Sequence, residues 1–332
     1  MRHSKSICVR IIAAVLLLAV LILLAAAVHE RNAAWSKGEG TTQQKEVRVL
    51  TASDSEQVAD FLQQAIERRK MMEGLYSYSC VLLEDDTGKL LGSRDRSRRI
   101  YPASMTKMMT ALVVLEEGPG LDAKLQVPAG LDGLIGDDDA STAGISEGEV
   151  LSERDLLYGV LLPSGADCCV TLAVDLFGNE AAFAERMNAK AQELGMKDTH
   201  FVNTTGLHNE NHYSTVTDMA ILLRYAMQNE TFAQMVATPL YRTETTAQHP
   251  EGIPLQSTIF GSGLLNLPDT VRFLGGKTGY TAEAGSCLAS SAVIGGKTYV
   301  LVTAGAGTTE EHQHTNIEDA VTVYTYLAAA AS

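Results

Sequence analysis

Ser104 and Lys107 frame the segment Ser104-Met105-Thr106-Lys107. On a helix, positions i and i+3 share a face, so this spacing brings a hydroxyl and an amine together. A neutral amine can take the serine proton and make the oxygen a nucleophile. A free lysine titrates near pH 10.4, so keeping it neutral at pH 7 costs roughly 4.6 kcal/mol. Burial or a second cation must therefore lower the Lys107 pKa, and Lys277 is the candidate second cation. Two further short motifs follow in order. Ser164-Gly165-Ala166 offers a second hydroxyl, suited to passing a proton to a leaving amine. Lys277-Thr278-Gly279 offers a cation and a hydroxyl, which suit a carboxylate, and a glycine that admits a close backbone. The backbone N–H groups of Tyr280 and Ser104 are the expected oxyanion donors.

These residues need elements to hold them. Apolar residues at helical spacing predict helices over 54–70, from Pro102 onward, and near 153–162, 166–177, 180–194 and 217–228. Ile317, Ala320, Val321, Tyr324 and Leu327 predict a last helix. Strands are expected over 76–83, 89–94, 271–278, 285–294 and 297–304, with a hairpin turn at Gly295-Gly296. Strands thus come early and late, and helices fill the middle. That order predicts an α+β fold: an antiparallel sheet of about five strands, covered by the terminal helices, with an inserted helical lobe. Lys277-Thr278-Gly279 is expected at a strand end beside the nucleophile.

The chain has 332 residues and a formal net charge of −14, which argues against nucleic acid as a partner. Arg2, Lys5 and Arg10 precede an apolar run over 11–28, the pattern of an export signal that is cleaved or kept as an anchor. A polar stalk over 29–52 and a catalytic domain over 53–330 are expected to follow. Cys8, Cys80, Cys168, Cys169 and Cys287 fit neither a disulfide framework nor a zinc site and read as small buried hydrophobes. His208 and His212 are four apart, but Glu210 lies one place off the H-E-x-x-H pattern and the segment reads as loop. His312 and His314 read as a solvated helix start, and Asp137-Asp138-Asp139 as a solvated acidic run.

The ordered motifs resemble those of the serine D-alanyl-D-alanine carboxypeptidases, the low-molecular-mass penicillin-binding proteins. The resemblance covers roughly residues 55–330. It extends to Tyr101-Pro102-Ala103-Ser104-Met105-Thr106-Lys107, to residues 156–165 around Pro163-Ser164-Gly165, to His212-Tyr213-Ser214-Thr215 with Asp218, and to Gly276-Lys277-Thr278-Gly279-Tyr280-Thr281. It implies a β-lactamase/penicillin-binding transpeptidase-like fold. It also implies removal of the terminal D-alanine from peptidoglycan stem pentapeptides through a Ser104 acyl-enzyme. Ser104, Lys107 and Ser164 would be catalytic, and Lys277, Thr278, Gly279 and Tyr280 would bind substrate. No metal or cofactor is implied, and β-lactams would acylate the same serine. The place implied is outside the bacterial cytoplasmic membrane, with residues 11–28 as anchor if uncleaved. In this sequence Ala166 stands where the family has asparagine, and Asp167 could compensate only by turning inward. The larger members' C-terminal domain and anchor are not matched, so anchoring is expected at the N-terminus. A β-lactamase and a catalytically weakened wall-binding protein are the alternatives. The first needs a glutamate to activate the deacylating water, and 199–203 holds no acidic residue.

Overall fold

Alternating side chains on the strands sort the interior into two cores. The computed structural model describes residues 52–137, 139–307 and 314–331. The apolar run over 11–28, the segment 29–51 and Cys8 lie outside the described residues. The chain divides into two units, Met1–Val58 and Ala59–Ser332, and the account below concerns the second.

Helix α1 (Ala52–Glu73) leads to β1 (Ser79–Glu84) and β2 (Lys89–Arg94). The chain then passes into the helical lobe and returns as β7 (Val271–Thr281), β8 (Gly285–Ile294) and β9 (Lys297–Ala306). These five strands form one antiparallel sheet in the order β2-β1-β9-β8-β7. Gly295 and Gly296 have φ of +58° and +79°, the pair of positive values that a tight hairpin between β8 and β9 requires.

Successive residues of a strand point to opposite faces. Leu82, Leu288 and Leu301 pack with Met72 and with Tyr324 and Leu327 of α9 (Thr315–Ala331). Val81, Ala289, Val300 and Val302 face the helical lobe. The predicted α+β architecture, with terminal helices over one face, is therefore present. Asp319 of α9 accepts from the backbone N–H groups of Tyr76 and Ser77 at 2.8 and 2.9 Å, which ties the start of the sheet to the last helix.

The lobe is built around α2 (Lys107–Glu117), whose residues from Lys107 to Val114 are all buried. It follows a short 3-10 turn, Ala103–Thr106. Around it pack α4 (Glu153–Leu161), α5 (Ala166–Phe177), α6 (Glu180–Glu193), α7 (Val216–Ala226) and α8 (Glu230–Val236), with the short α3 (Leu131–Ile135). Two small ribbons, β3 (Lys124–Gln126) with β4 (Val150–Ser152) and β5 (Leu240–Arg242) with β6 (Pro254–Gln256), complete it. These ribbons are too short for a period of two to show in the sequence, which predicts none of them. Helices near 153–162, 166–177 and 180–194 agree closely with α4, α5 and α6. Gly195, with φ of +76°, follows α6 as its left-handed stop. The first expected strand begins later than predicted, at Ser79.

Two predicted details change. The helix expected directly after Pro102 opens instead as a 3-10 turn, because Ala103 has φ of +47° and cannot continue a right-handed helix. Lys277-Thr278-Gly279 sits inside β7 rather than at its end, since the ladder with β8 runs on to Thr281 opposite Gly285.

Candidate active site

A cavity of about 700 Å³ opens where the outer edge of β7 meets the helical lobe. Ser104 and Lys107 form its floor, Thr278, Gly279 and Tyr280 one wall, and Ser164 with Ala166 the other. The three motifs, distant in sequence, thus converge on one space.

Lys107 Nζ donates to Ser104 Oγ at 3.0 Å and to the Thr205 carbonyl at 2.7 Å. The lysine is 3% exposed. Burial pushes its pKa below the ordinary lysine value, against the opposing pull of Cys169 and Asp167. Lys277 is 0% exposed, and its Nζ donates to the Thr278 carbonyl at 3.1 Å. Burial and then the like charge of Lys107 push the Lys277 pKa well below its usual value. Burial is the leading cause for both lysines, and their mutual like-charge repulsion acts in the same direction. Lys277 itself is not among the residues that line the cavity. The neighbouring hydroxyls are: Thr278 Oγ1 shares a hydrogen bond of 2.7 Å with Thr258 Oγ1, and both residues line the space.

Among the described residues, the non-glycine residues with positive φ are Asp95, Ala103 and Ser164. Two of the three flank the nucleophile, where strained backbone is commonly held by its surroundings for function. Ser164 is not a helix cap, because Gly165 caps α5 without any side-chain bond. The Ser164 Oγ is buried and makes no hydrogen bond among the described residues, although it lines the cavity. An unpaired hydroxyl in that position is available to a substrate. A Cβ at Gly279 would lie 3.0 Å from both the Pro102 carbonyl oxygen and the Ser104 nitrogen, so a side chain there would press on the Ser104 turn. This close approach brings the backbone before Tyr280 to the Ser104 N–H. The Tyr280 side chain is itself 59% exposed.

Asp167 does not compensate for Ala166. Its carboxylate accepts from the backbone N–H groups of Ala143, Gly144 and Ile145 at 2.9 to 3.2 Å, and of its own neighbour Cys168 at 2.9 Å. It fixes the loop beside the cavity and is spent there. Ala166 itself presents no hydrogen-bonding side chain to the cavity. Ala166→Asn is expected to raise the acylation rate by about 3–10-fold, the worth of one added hydrogen bond. Comparing the two proteins in a penicillin-labelling time course checks this.

Several lining residues carry no signal in the sequence, Thr258, Ser141, Gly206 and Asn316 among them. His314 and Asp139, both read there as solvated, also line the cavity. Asp138 lies outside the described residues. Asp139 is the one acidic residue among the described lining. His208 and His212 diverge: His208 sits edge-on to the Tyr101 ring at 4.6 Å, while His212 is buried against Thr106. Cys80, Cys168, Cys169 and Cys287 are free and buried, as small hydrophobes would be. Burial pushes the Cys169 thiol up to about 12.

Residues 63–308 match the family Peptidase_S11, described as D-alanyl-D-alanine carboxypeptidase. The chain is 35% identical over 243 residues to the D-alanyl-D-alanine carboxypeptidase DacF of Bacillus subtilis, covering 70% of this chain and 58% of that protein. It is 32% identical over 226 residues to the D-alanyl-D-alanine carboxypeptidase of Streptomyces sp. strain K15, covering 66% and 77%. Among solved structures, the Streptomyces K15 DD-transpeptidase superposes with a TM-score of 0.68 at 28% identity, covering 77% of this chain and 98% of that one. A D-alanyl-D-alanine carboxypeptidase from Mycobacterium tuberculosis H37Rv gives 0.66 at 28% identity, covering 75% and 90%. Among the described residues, no helix is long and apolar enough to cross a membrane.

Proposed function

Because the chain belongs to the D-alanyl-D-alanine carboxypeptidase family, we propose that it hydrolyses the terminal D-Ala-D-Ala bond of peptidoglycan stem peptides through an acyl-enzyme on Ser104. The observation that carries this reading is the buried Lys107 amine, 3.0 Å from Ser104 Oγ and held below its usual pKa.

The neutral amine takes the proton of Ser104 as Oγ attacks the penultimate D-alanine carbonyl. The developing oxyanion lies at the start of the buried helical segment, with the Ser104 and Tyr280 N–H groups as donors. Ser164 Oγ stands free to pass a proton to the departing D-alanine nitrogen. Thr278, backed by Thr258, meets the terminal carboxylate. Water then cleaves the ester and returns Ser104. A β-lactam opens on the same Ser104 oxygen, as a mimic of the substrate.

In this reading residues 1–28 direct export or stay as an anchor, 29–52 form a stalk, and 53–330 work outside the cytoplasmic membrane. The full chain is expected to release D-alanine from diacyl-L-Lys-D-Ala-D-Ala. Mass spectrometry is expected to place a benzylpenicillin adduct on the peptide containing Ser104. A folded protein that does neither sinks the proposal, and turnover of penicillin within seconds would point to a β-lactamase instead.

A further inference from the structure

We propose that His212 is a positioning residue for acylation: its ring fastens the turn that carries Ser104 and Lys107 to the loop whose Thr205 carbonyl holds the Lys107 amine. The proposal rests on the reading of Ser104 and Lys107 given above and adds a residue that never meets the substrate.

His212 is 2% exposed and lies outside the cavity lining. Its Nδ1 accepts from the Val202 N–H at 3.2 Å, so that nitrogen carries no proton. The proton therefore sits on Nε2, which donates to Thr106 Oγ1 at 2.7 Å. Thr106 lies between Ser104 and Lys107 in the 3-10 turn. Val202 opens the short loop that ends on Thr205, whose carbonyl accepts from Lys107 Nζ at 2.7 Å. The links close into a ring: Lys107 to Thr205, along the loop to Val202, through His212 to Thr106, and back along the turn to Lys107.

Both nitrogens of one rigid imidazole are used, so the separation between turn and loop is fixed by covalent geometry rather than by flexible side chains. The ring is itself held. Phe201 packs against it at 5.5 Å and 66°, and the His212 backbone N–H donates to the Asn209 carbonyl at 2.9 Å. Burial, helped by electrostatic interactions with His200, Lys107 and His208, lowers its pKa to about 3. Above that pH the imidazole is neutral, so its donor and acceptor pattern stays the same. A loosened loop would let the Thr205 carbonyl drift and water reach Lys107, which moves the nucleophile and weakens the burial that keeps the amine neutral.

The test uses the full chain and three variants. His212→Phe fills the space but offers no polar contact. His212→Gln keeps one donor and one acceptor. Thr106→Val removes the far end of the link. Stopped-flow penicillin acylation is measured across pH, with thermal melting as a fold control. In His212→Phe and Thr106→Val, acylation is expected to slow roughly 10–100-fold, the usual cost of a misplaced reacting group. Their acid limb is expected to move to higher pH as Lys107 becomes hydrated. His212→Gln should recover most of the rate and the parent limb. Parent-like rates and an unmoved limb in His212→Phe and Thr106→Val, even with lower melting temperatures, would overturn the proposal and leave His212 as core filling. Should His212→Phe fail to fold, Thr106→Val decides alone. A parent that is not acylated at all defeats the reading of Ser104 instead.

Discussion

Replacing Lys107 with alanine is expected to slow acylation of Ser104 by roughly 10²–10⁴-fold, the usual worth of a positioned general base. The serine remains, but the amine 3.0 Å from it is gone, and no other basic side chain touches Ser104 Oγ among the described residues. The pH profile carries the stronger signature. Only the neutral amine accepts a proton, so the parent rate rises as pH climbs through the folded pKa of Lys107. Burial places that pKa below the ordinary lysine value, which moves the limb toward acid. In Lys107→Ala the limb disappears.

Stability moves in the same direction. A lysine whose folded pKa is depressed binds fewer protons folded than unfolded in the window between the two pKa values. The parent therefore gains stability as pH rises through that window, and the burden on the fold is full below it. Lys107→Ala should narrow this dependence, with Lys277 still contributing in the same sense. Fluorescent-penicillin labelling and thermal melts across pH measure both effects. A loss below tenfold, or an acid limb that survives, would remove Lys107 from the role of base.

Gly206→Ala is expected to be the most damaging single methyl addition in the lobe. Gly206 has φ of +81°, and a Cβ there would collide with the carbonyl of Ala103, the strained residue just before the nucleophile. The collision falls on backbone, so no side chain can swing aside. A cost of roughly 1–3 kcal/mol in stability is expected, together with about 10²-fold in acylation rate. Gly178→Ala is the matched control. Its φ is +80°, but a Cβ at the end of α5 would meet nothing within 4 Å. It should show the backbone strain without the kinetic loss. Melting temperatures and labelling rates of both variants separate the terms, and equal rates would show that the Gly206 contact does not set the nucleophile's position.

The parts of the site legible in the sequence were those with internal grammar. Ser104 and Lys107 lie one helical turn apart, and Lys277-Thr278-Gly279 lies in a strand, so spacing alone could nominate them. Thr258 had no such grammar. It matters because its hydroxyl meets Thr278 from the turn that follows β6, a contact that only the fold creates. Thr205 acts through its carbonyl, which no residue type announces. Asp167 shows the opposite case, a suggestive side chain drawn away by three N–H groups of the 143–145 loop. The sheet was readable because β8 and β9 are long and rich in buried apolar residues, whereas the three-residue ribbons were not.

The order of strands also sets a clock. Cys80 of β1 lies opposite Thr303 of β9, so the first hairpin to leave the ribosome waits for the last of the described strands before it has a neighbour. Such pairings are slow to close, because a long loop must be ordered before any contact rewards it. Gly279, which seats the Ser104 turn, is on a strand that needs β8, and β8 needs β9. The turn around Ser104 therefore reaches its final shape only once nearly the whole chain exists. A growing chain can carry Ser104, Lys107 and Ser164 and yet have no assembled site.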